Sequence, residues 1–423
     1  MRRMLAGLVA VLLAMLLLPA GTASASVGQP TVVSPDPANW TPDVLDGGGV
    51  SHSAVHAFAQ RHGTMYAGGQ FRRVASGSGT RTHERTNLMA FKIGTGALRS
   101  FAPKVNGAVV ALEARGKWLY IAGSFTRVNG VARRGVAKIH AVTGRVDRKF
   151  NARLASGKVN DMELVGKRLY LGGSFSRSLV VVKPATGKLT RYLRLRITGS
   201  VAANAGATDV LRFAVNPART RLVAVGNFAS VAGEPRKRAF MLALGSRSAR
   251  LDRWYYRPFR NACRGDKFPA YLRDVDFSPN GSYFVVVSTG AAAKAGGVGR
   301  DVCDAAARFQ TKRDRPSRPV WINYTGGDTL LSVAATGSAV YVQGHQRWLD
   351  NPKGRNDAGP GAVRREGIGA IHSGTGKALA WNPGKTRGIG GKALYATSAG
   401  LWVGSDGARF AGEYRDNIAY CPL

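Results

Sequence analysis

The feature that most constrains this chain is a short apolar element ending in glycine that returns at a near-constant interval. It reads MYAGGQF at Met65–Phe71, YIAGSF at Tyr120–Phe125, LYLGGSF at Leu169–Phe175 and LVAVGNF at Leu222–Phe228. The glycines Gly69, Gly123, Gly173 and Gly226 are 54, 50 and 53 residues apart. Weaker copies stand at Gly344 (YVQGH) and Gly404 (WVGSD). The 118 residues between Gly226 and Gly344 leave room for one more unit, which SYFVVVST at Ser282–Thr289 supplies. Self-similarity at a period of tens of residues marks one supersecondary unit repeated in space, and here the units number seven.

Inside each unit an alternating segment such as VVALEA, VNDMELV or DVDFSP leads through a polar turn to the strand that ends at the glycine. A variable loop rich in Arg and Gly follows. After it come a third strand such as GVAKIHA, a TG or SPNG turn, and a fourth strand carrying an aromatic residue. Period-two runs punctuated by Gly, Asn, Asp and Pro are strand and hairpin signals, and four strands per unit describe a propeller blade. The expectation is an all-β chain forming a single seven-bladed β-propeller of four-stranded antiparallel blades over residues 26–423. Blades are expected near 50–105, 106–154, 155–197, 198–259, 260–325, 326–387 and 388–423.

The fourth-strand aromatics Phe101, Phe150, Tyr192, Trp254, Trp321 and Trp381 are six for seven units, because the last unit stops after its third strand, DNIAYCPL. The segment NWTPDVLDG around Trp40 resembles SFAPKV and AWNPGK. Residues 30–46 are therefore expected to complete the last blade and close the ring, which would remove exposed sheet edges.

YIAGSFTRVNGVARRGVAKIHAVTG, with its weaker copies over most of residues 50–423, resembles the delta-60 repeat, a bacterial β-propeller repeat similar in pattern to the propeller of Rax2-like proteins. GHQRWLDNP, GPGAVRREGIGAIH, ALAWNPG and GLWVGSD are similar to exported propellers of the same group. The resemblance implies a secreted propeller and no particular reaction. The fifth unit departs from the pattern: it lacks the glycine and has a lengthened loop, AAAKAGGVGRDVCDAAARF.

Arg2 and Arg3, an apolar run from Leu5 to Leu18 and the small residues before Ala25 have the layout of a secretory signal peptide over residues 1–25. No later stretch reaches the ~18 apolar residues of a membrane span. Cleavage would remove two of 61 basic residues and none of the 24 acidic ones, leaving an excess of +35. Such a charge favours anionic partners: in an exported protein, an anionic envelope polymer, an acidic glycan or a protein partner rather than specific nucleic acid. A monomer is expected. Disulfides persist in that compartment, and Cys263 and Cys303 are the expected bridge, with Cys421 left as a buried apolar residue in a strand.

In a propeller the loops between second and third strands share a face with the connectors between blades. Arg72, Arg127, Arg133, Arg134 and Arg177 fall there, as do His345, Arg347 and Trp348. Arginine's fork suits bidentate binding of carboxylate, sulfate or phosphate, so these eight residues are the candidate ligand-binding set. Glu366 is a candidate partner of Arg347.

Counting back from the glycines puts His56, Ala111, Asp161, Arg212, Asp274 and Ser332 at inward positions of the first strands. Asp161, Arg212 and Asp274 form a candidate channel cluster in which the guanidinium should keep both acids ionised. His52 and His56, ~13 Å apart along a strand, are too distant to share a metal. Neither a metal site nor a cofactor is expected. GxSxG, GxxxxGK[ST] and HExxH motifs are absent. A binding or scaffold role is thus favoured, with a polysaccharide lyase or hydrolase working in the channel as the alternative.

Overall fold

A computed structural model describes residues 27–50, 52–77, 79, 81–264 and 269–423. The expected signal peptide lies outside these residues. Among the described residues, five small two- or three-stranded sheets accompany seven main antiparallel sheets that follow one another along the chain. Their first two strands are Ala54–Arg61 and Thr64–Gln70, Val109–Arg115 and Trp118–Gly123, Val159–Val165 and Arg168–Gly173, Asp209–Val215 and Arg221–Asn227, Leu272–Phe277 and Tyr283–Ser288, Leu330–Ala335 and Val340–Gly344, and Ala393–Thr397 and Gly400–Gly404. The first strand of each sheet packs beside that of the next, and that of the seventh beside that of the first.

The core lies between sheets, which explains why the second strands are apolar on both faces. Leu119 and Ile121 pack with Tyr66 and Phe101 of the first sheet, whereas Tyr120 and Ala122 point the other way, toward Leu169 and Leu171 of the third. The fourth and fifth sheets have four continuous strands. The first, second, third and sixth have three, each followed by a single bridge to the next segment: Phe91 to Leu98, Ile139 to Val146, Val182 to Leu189 and Ile371 to Ala378. The expected fourth strand is thus a one-pair contact in these sheets, held by its aromatic residue. Phe101 meets Tyr66 at 5.4 Å, Phe150 meets Tyr120 at 5.7 Å and Trp381 meets Tyr341 at 5.2 Å, all edge to face.

The repeat glycine answers to a bulge. In six sheets the first strand carries one extra residue opposite it, as between Val109 and Ala111. A Cβ on Gly69, Gly123, Gly173, Gly226 or Gly344 would fall inside contact distance of the carbonyl oxygen just before the bulge. In the fifth sheet Ser288 takes this place, its Oγ bonded to the main chain of Ala305. In the seventh the equivalent is Ser405, because the N–H of Ser405 donates to Asn417 O as that of Gly69 donates to Asn87 O. The alignment on Gly404 is therefore one residue early.

The same register corrects His56, which is the extra bulge residue; Ala57 is the true counterpart of Ala111, Asp161, Arg212 and Asp274.

The N-terminal residues run along the seventh sheet. Ser34 N–H donates to Pro422 O and Ala38 N–H to Tyr420 O. Trp40 packs on Trp402 at 5.6 Å and on Tyr420 at 5.5 Å, as Phe101 packs on Tyr66. Asp43–Leu45 then leaves this sheet and pairs with Arg73–Ala75 of the first sheet's loop. Cys263 and Cys303 are bonded, with Cα atoms 5.7 Å apart, and Cys421 is free and buried in the strand Ile418–Pro422.

Trp40→Ala should lower stability by about 2–3 kcal/mol, the cost of emptying a partly buried indole site. Val142→Ala, at a residue 60% exposed, should change it by less than ~0.5 kcal/mol. Urea unfolding followed by tryptophan fluorescence and circular dichroism checks both.

Candidate functional site

The loop arginines separate into two populations. Arg85, Arg133, Arg365 and Arg415 each stand two residues before a residue held at positive φ: Asn87 (66°), Gly135 (71°), Gly367 (71°) and Asn417 (68°). Each donates to the carbonyl of the residue before it; Arg85, Arg133 and Arg365 also reach the segment that follows the third strand, and Arg415 reaches the N-terminal segment that runs along the seventh sheet. Arg85 bonds Glu84 O at 2.8 Å and Arg99 O at 3.0 Å. Arg133 bonds Ala132 O at 2.7 Å, Asp147 O at 3.3 Å and Arg148 O at 3.2 Å. Arg365 bonds Arg364 O at 2.6 Å and Leu379 O. Arg415 bonds Tyr414 O at 2.7 Å and the side chain of Asn39. These are latches on the outer edges of four of the sheets, and Arg133, 7% exposed, is not free to meet a ligand.

Arg72, Arg127, Arg134 and Arg177 are exposed. Arg127 donates to Gly130 O at 3.0 Å. Among the described residues none of the four makes an ion pair. The other three candidates sit in a tighter setting. Arg347 grips Asp328 with two bonds, Nε to Oδ2 at 2.9 Å and Nη2 to Oδ1 at 3.1 Å, so its partner is Asp328, and Glu366 pairs with Arg364 at 2.9 Å. Arg387 adds a contact to Asp328 at 3.3 Å, and His345 Nδ1 lies 3.7 Å from it. Burial pushes the Asp328 carboxyl up, but His345, Arg347 and Arg387 outweigh it and hold the pKa at about 2. Trp348 is half-buried in the short strand Trp348–Leu349, its Nε1 without a partner among the described residues.

The channel is a cavity of about 240 Å³ lined by His56, Asp161, Arg212, Asp274 and Lys392, with Glu163 and Asp276 farther in. Asp161, Arg212 and Asp274 do come together there. Arg212 donates to the main-chain carbonyls of Asn160 and Leu211, and the acids take main-chain N–H groups of the next sheet. Asp161 Oδ2 accepts from Phe213 N at 2.8 Å and Glu163 from Val215 N at 3.0 Å. Asp274 accepts from Val333 N at 2.9 Å and Asp276 from Ala335 N at 2.8 Å. Each acid thus joins the innermost strands of two neighbouring sheets.

Burial, only partly offset by Arg212, raises Asp161 and pushes Asp274 to about 7. Desolvation prevails over the guanidinium, against the sequence expectation. His56 is pushed down to about 3 by burial and by Lys392 and Arg212, so it is neutral.

Sequence reasoning missed a pocket between the fifth and sixth sheets. Its cavity of about 390 Å³ is lined by Arg264, Thr289, Asp304, Thr329, His345 and Arg355, with Asn356 and Gly327 at its edge. The only sequence sign of it is the irregular fifth unit.

No family model matches the chain, and no curated protein matches it. Among solved structures, "Structure of U3-55K" aligns at TM-score 0.53 and 12% identity over 92% of this chain and 100% of that one. "Crystal structure of RRP9 WD40 repeats" aligns at TM-score 0.52 and 13% identity over 92% and 98%. WD40 repeats build β-propellers, and the likeness spans nearly the whole chain. The fold is a β-propeller.

Two outcomes test the assignments. Arg133→Ala should cost about 1–2 kcal/mol, since it removes part-buried charge-assisted bonds to three main-chain carbonyls, whereas Arg134→Ala should stay within ~0.5 kcal/mol; chemical unfolding distinguishes them. Asp274 titrates near 7 when folded and near 3.9 when unfolded, so between these values the folded state holds a proton that the unfolded state releases. Its contribution to stability therefore falls as pH rises from about 4 to 7. Asp274→Asn should remove that contribution, and unfolding free energies across this range should lose part of their downward slope.

Proposed function

We propose that this chain is an exported, monomeric, seven-bladed β-propeller of the delta-60 type that serves as a binding scaffold. The seven sheets are its blades, and residues 30–46 complete the last one. The loop face engages an anionic envelope polymer or acidic glycan, with a protein partner as the other occupant such a scaffold takes. The observation that carries this reading is the exposed set Arg72, Arg127, Arg134 and Arg177, on loops that connect second to third strands and free of ion pairs among the described residues. In the first two blades these loops lie against the connectors: Val105 bridges Val128, and Asp43–Leu45 pairs with Arg73–Ala75. Channel catalysis is less well supported, because Asp161, Glu163, Asp274 and Asp276 are engaged in holding strands together.

Charge-driven binding weakens as salt rises. Cosedimentation of the folded protein with isolated cell walls should fall steeply between low and physiological salt. The quadruple variant R72A/R127A/R134A/R177A should bind roughly tenfold more weakly at low salt, as expected from four exposed ionic contacts of ~0.2–1 kcal/mol each. Equal binding by both proteins, or binding indifferent to salt, would sink the proposal.

A further inference from the structure

The pocket between the fifth and sixth sheets stands where the repeat breaks down. Its floor is Asp304, 1% exposed, whose Oδ1 lies 3.4 Å from the hydroxyl of Thr329, itself 2.6 Å from the hydroxyl of Thr289. Arg264 and Arg355 are exposed lining residues whose guanidinium groups have no partner among the described residues. Asn356 lies at the edge, its Oδ1 taken by Arg347 Nη2 at 3.0 Å.

The pocket is held in place from two directions. Cys263 precedes Arg264 and Cys303 precedes Asp304, so one disulfide fixes the residues on both sides. On the other wall Arg347 joins Asp328 to Asn356. Three non-glycine lining residues, Ala291 (φ 66°), Asp304 (41°) and Asn356 (68°), sit in the left-handed region. Backbone of that kind persists where surrounding structure enforces it, and it gathers at ligand sites.

We propose that this pocket binds one carboxylated sugar unit, a uronate, with Arg264 and Arg355 taking the carboxylate and Asp304, Thr289 and Thr329 taking ring hydroxyls. The inference deepens the reading of the loop face as an acidic-glycan binder and rests on it for the source of the ligand. Two guanidinium groups without a partner among the described residues call for an anion. A buried carboxyl and two hydroxyls call for a partner that both donates and accepts hydrogen bonds, which sulfate, having no hydroxyl group near neutral pH, does not satisfy. Among the described residues no Phe, Tyr or Trp ring lines the cavity, so a neutral sugar finds neither a broad stacking platform nor a use for the arginines. About 390 Å³ lies at the low end of small-molecule pockets, ~300–1,000 Å³, which suits one sugar ring and excludes a folded partner. Burial pushes Asp304 to about 7, with Asp328 adding to the rise and His345 opposing it, so near neutrality this carboxyl can serve as donor or acceptor.

Calorimetric titration of the oxidised, folded protein with glucuronate, galacturonate, glucose and sodium sulfate tests the assignment. A uronate should bind with one-to-one stoichiometry and a dissociation constant of about a millimolar, the range for so small a ligand. Glucose and sulfate should bind at least about tenfold more weakly. Asp304→Asn and Arg355→Ala should each weaken uronate binding about tenfold or more. Arg355 is exposed, so its variant tests the site even if Asp304→Asn misfolds. Sulfate or glucose binding as well as the uronates, no uronate binding at several millimolar, or an unchanged affinity in Arg355→Ala would overturn the proposal.

R72A/R127A/R134A/R177A should keep its uronate affinity while losing cell-wall binding. Loss of the first alone would therefore condemn the pocket, and an intact wall interaction in that variant would condemn the loop-face reading.

Discussion

The innermost strand of each sheet has a neighbouring strand on one side only, and its outer edge must satisfy main-chain N–H groups away from bulk water. Everything else in the channel follows from that requirement. Strand pairing is not open to these edges, because the next sheet presents its face rather than its edge. Side-chain carboxylates bridge the gap instead: Glu163 reaches Val215 N, Asp276 reaches Ala335 N, and Asp161 and Asp274 do the same one register position nearer the loops. Acids on alternate residues of one strand point the same way, so the pairs Asp161/Glu163 and Asp274/Asp276 are the sequence form of a two-rung bridge. The cost is desolvation, visible in Glu113 and Glu163, whose carboxyls burial drives well above the ordinary range. A protonated carboxyl still accepts from an N–H, so the bridge survives neutralisation.

Charge divides along similar lines. An excess of basic residues as large as this one looks like a binding surface when counted, but the arginines do two different jobs. Those that precede a left-handed residue by two positions, in RTN, RRG, REG and RDN, are bound to carbonyls at the outer edge of their sheets. Arg133 and Arg134 are neighbours in sequence, yet one is a latch and the other faces solvent, because successive residues entering a strand point to opposite sides. Net charge therefore overstates the surface available to an anion.

The repeat was legible because its cause is local. A bulge facing a glycine, an aromatic three residues before it and a turn after the third strand all leave marks at fixed spacing, and the β-propeller that those marks suggest is the fold the structure has. What stayed hidden depends on geometry between units. The partner of Arg347 is Asp328, in the connector that precedes the sixth sheet, and spacing alone gave no reason to prefer it to Glu366. The position of His56 required knowing which residue the bulge ejects. The balance at Asp274 required knowing that burial exceeds the pull of Arg212, a quantity no composition reveals.

The irregular fifth unit shows where repetition gives way to use. A repeat constrains each unit to pack on the next, and five of the seven keep the glycine in the service of that packing, with Ser405 in its place in the seventh. The fifth has the bulge but replaces the glycine with Ser288, lengthens the following loop and fastens it with the Cys263–Cys303 bond. The lengthened, disulfide-fastened loop is what sets the fifth unit apart, and such a departure costs local regularity that a chain has reason to give up where a site is built. The break coincides with a cavity whose lining includes strained backbone, a buried carboxyl and guanidinium groups without a partner among the described residues. Packing explains the bulge and the latches, and a main-chain bond from Ala291 helps hold the Asp304 carboxyl, but neither accounts for its burial with hydroxyl partners beneath arginines that have no partner among the described residues. Recognition of a ligand that is both anionic and hydroxylated does.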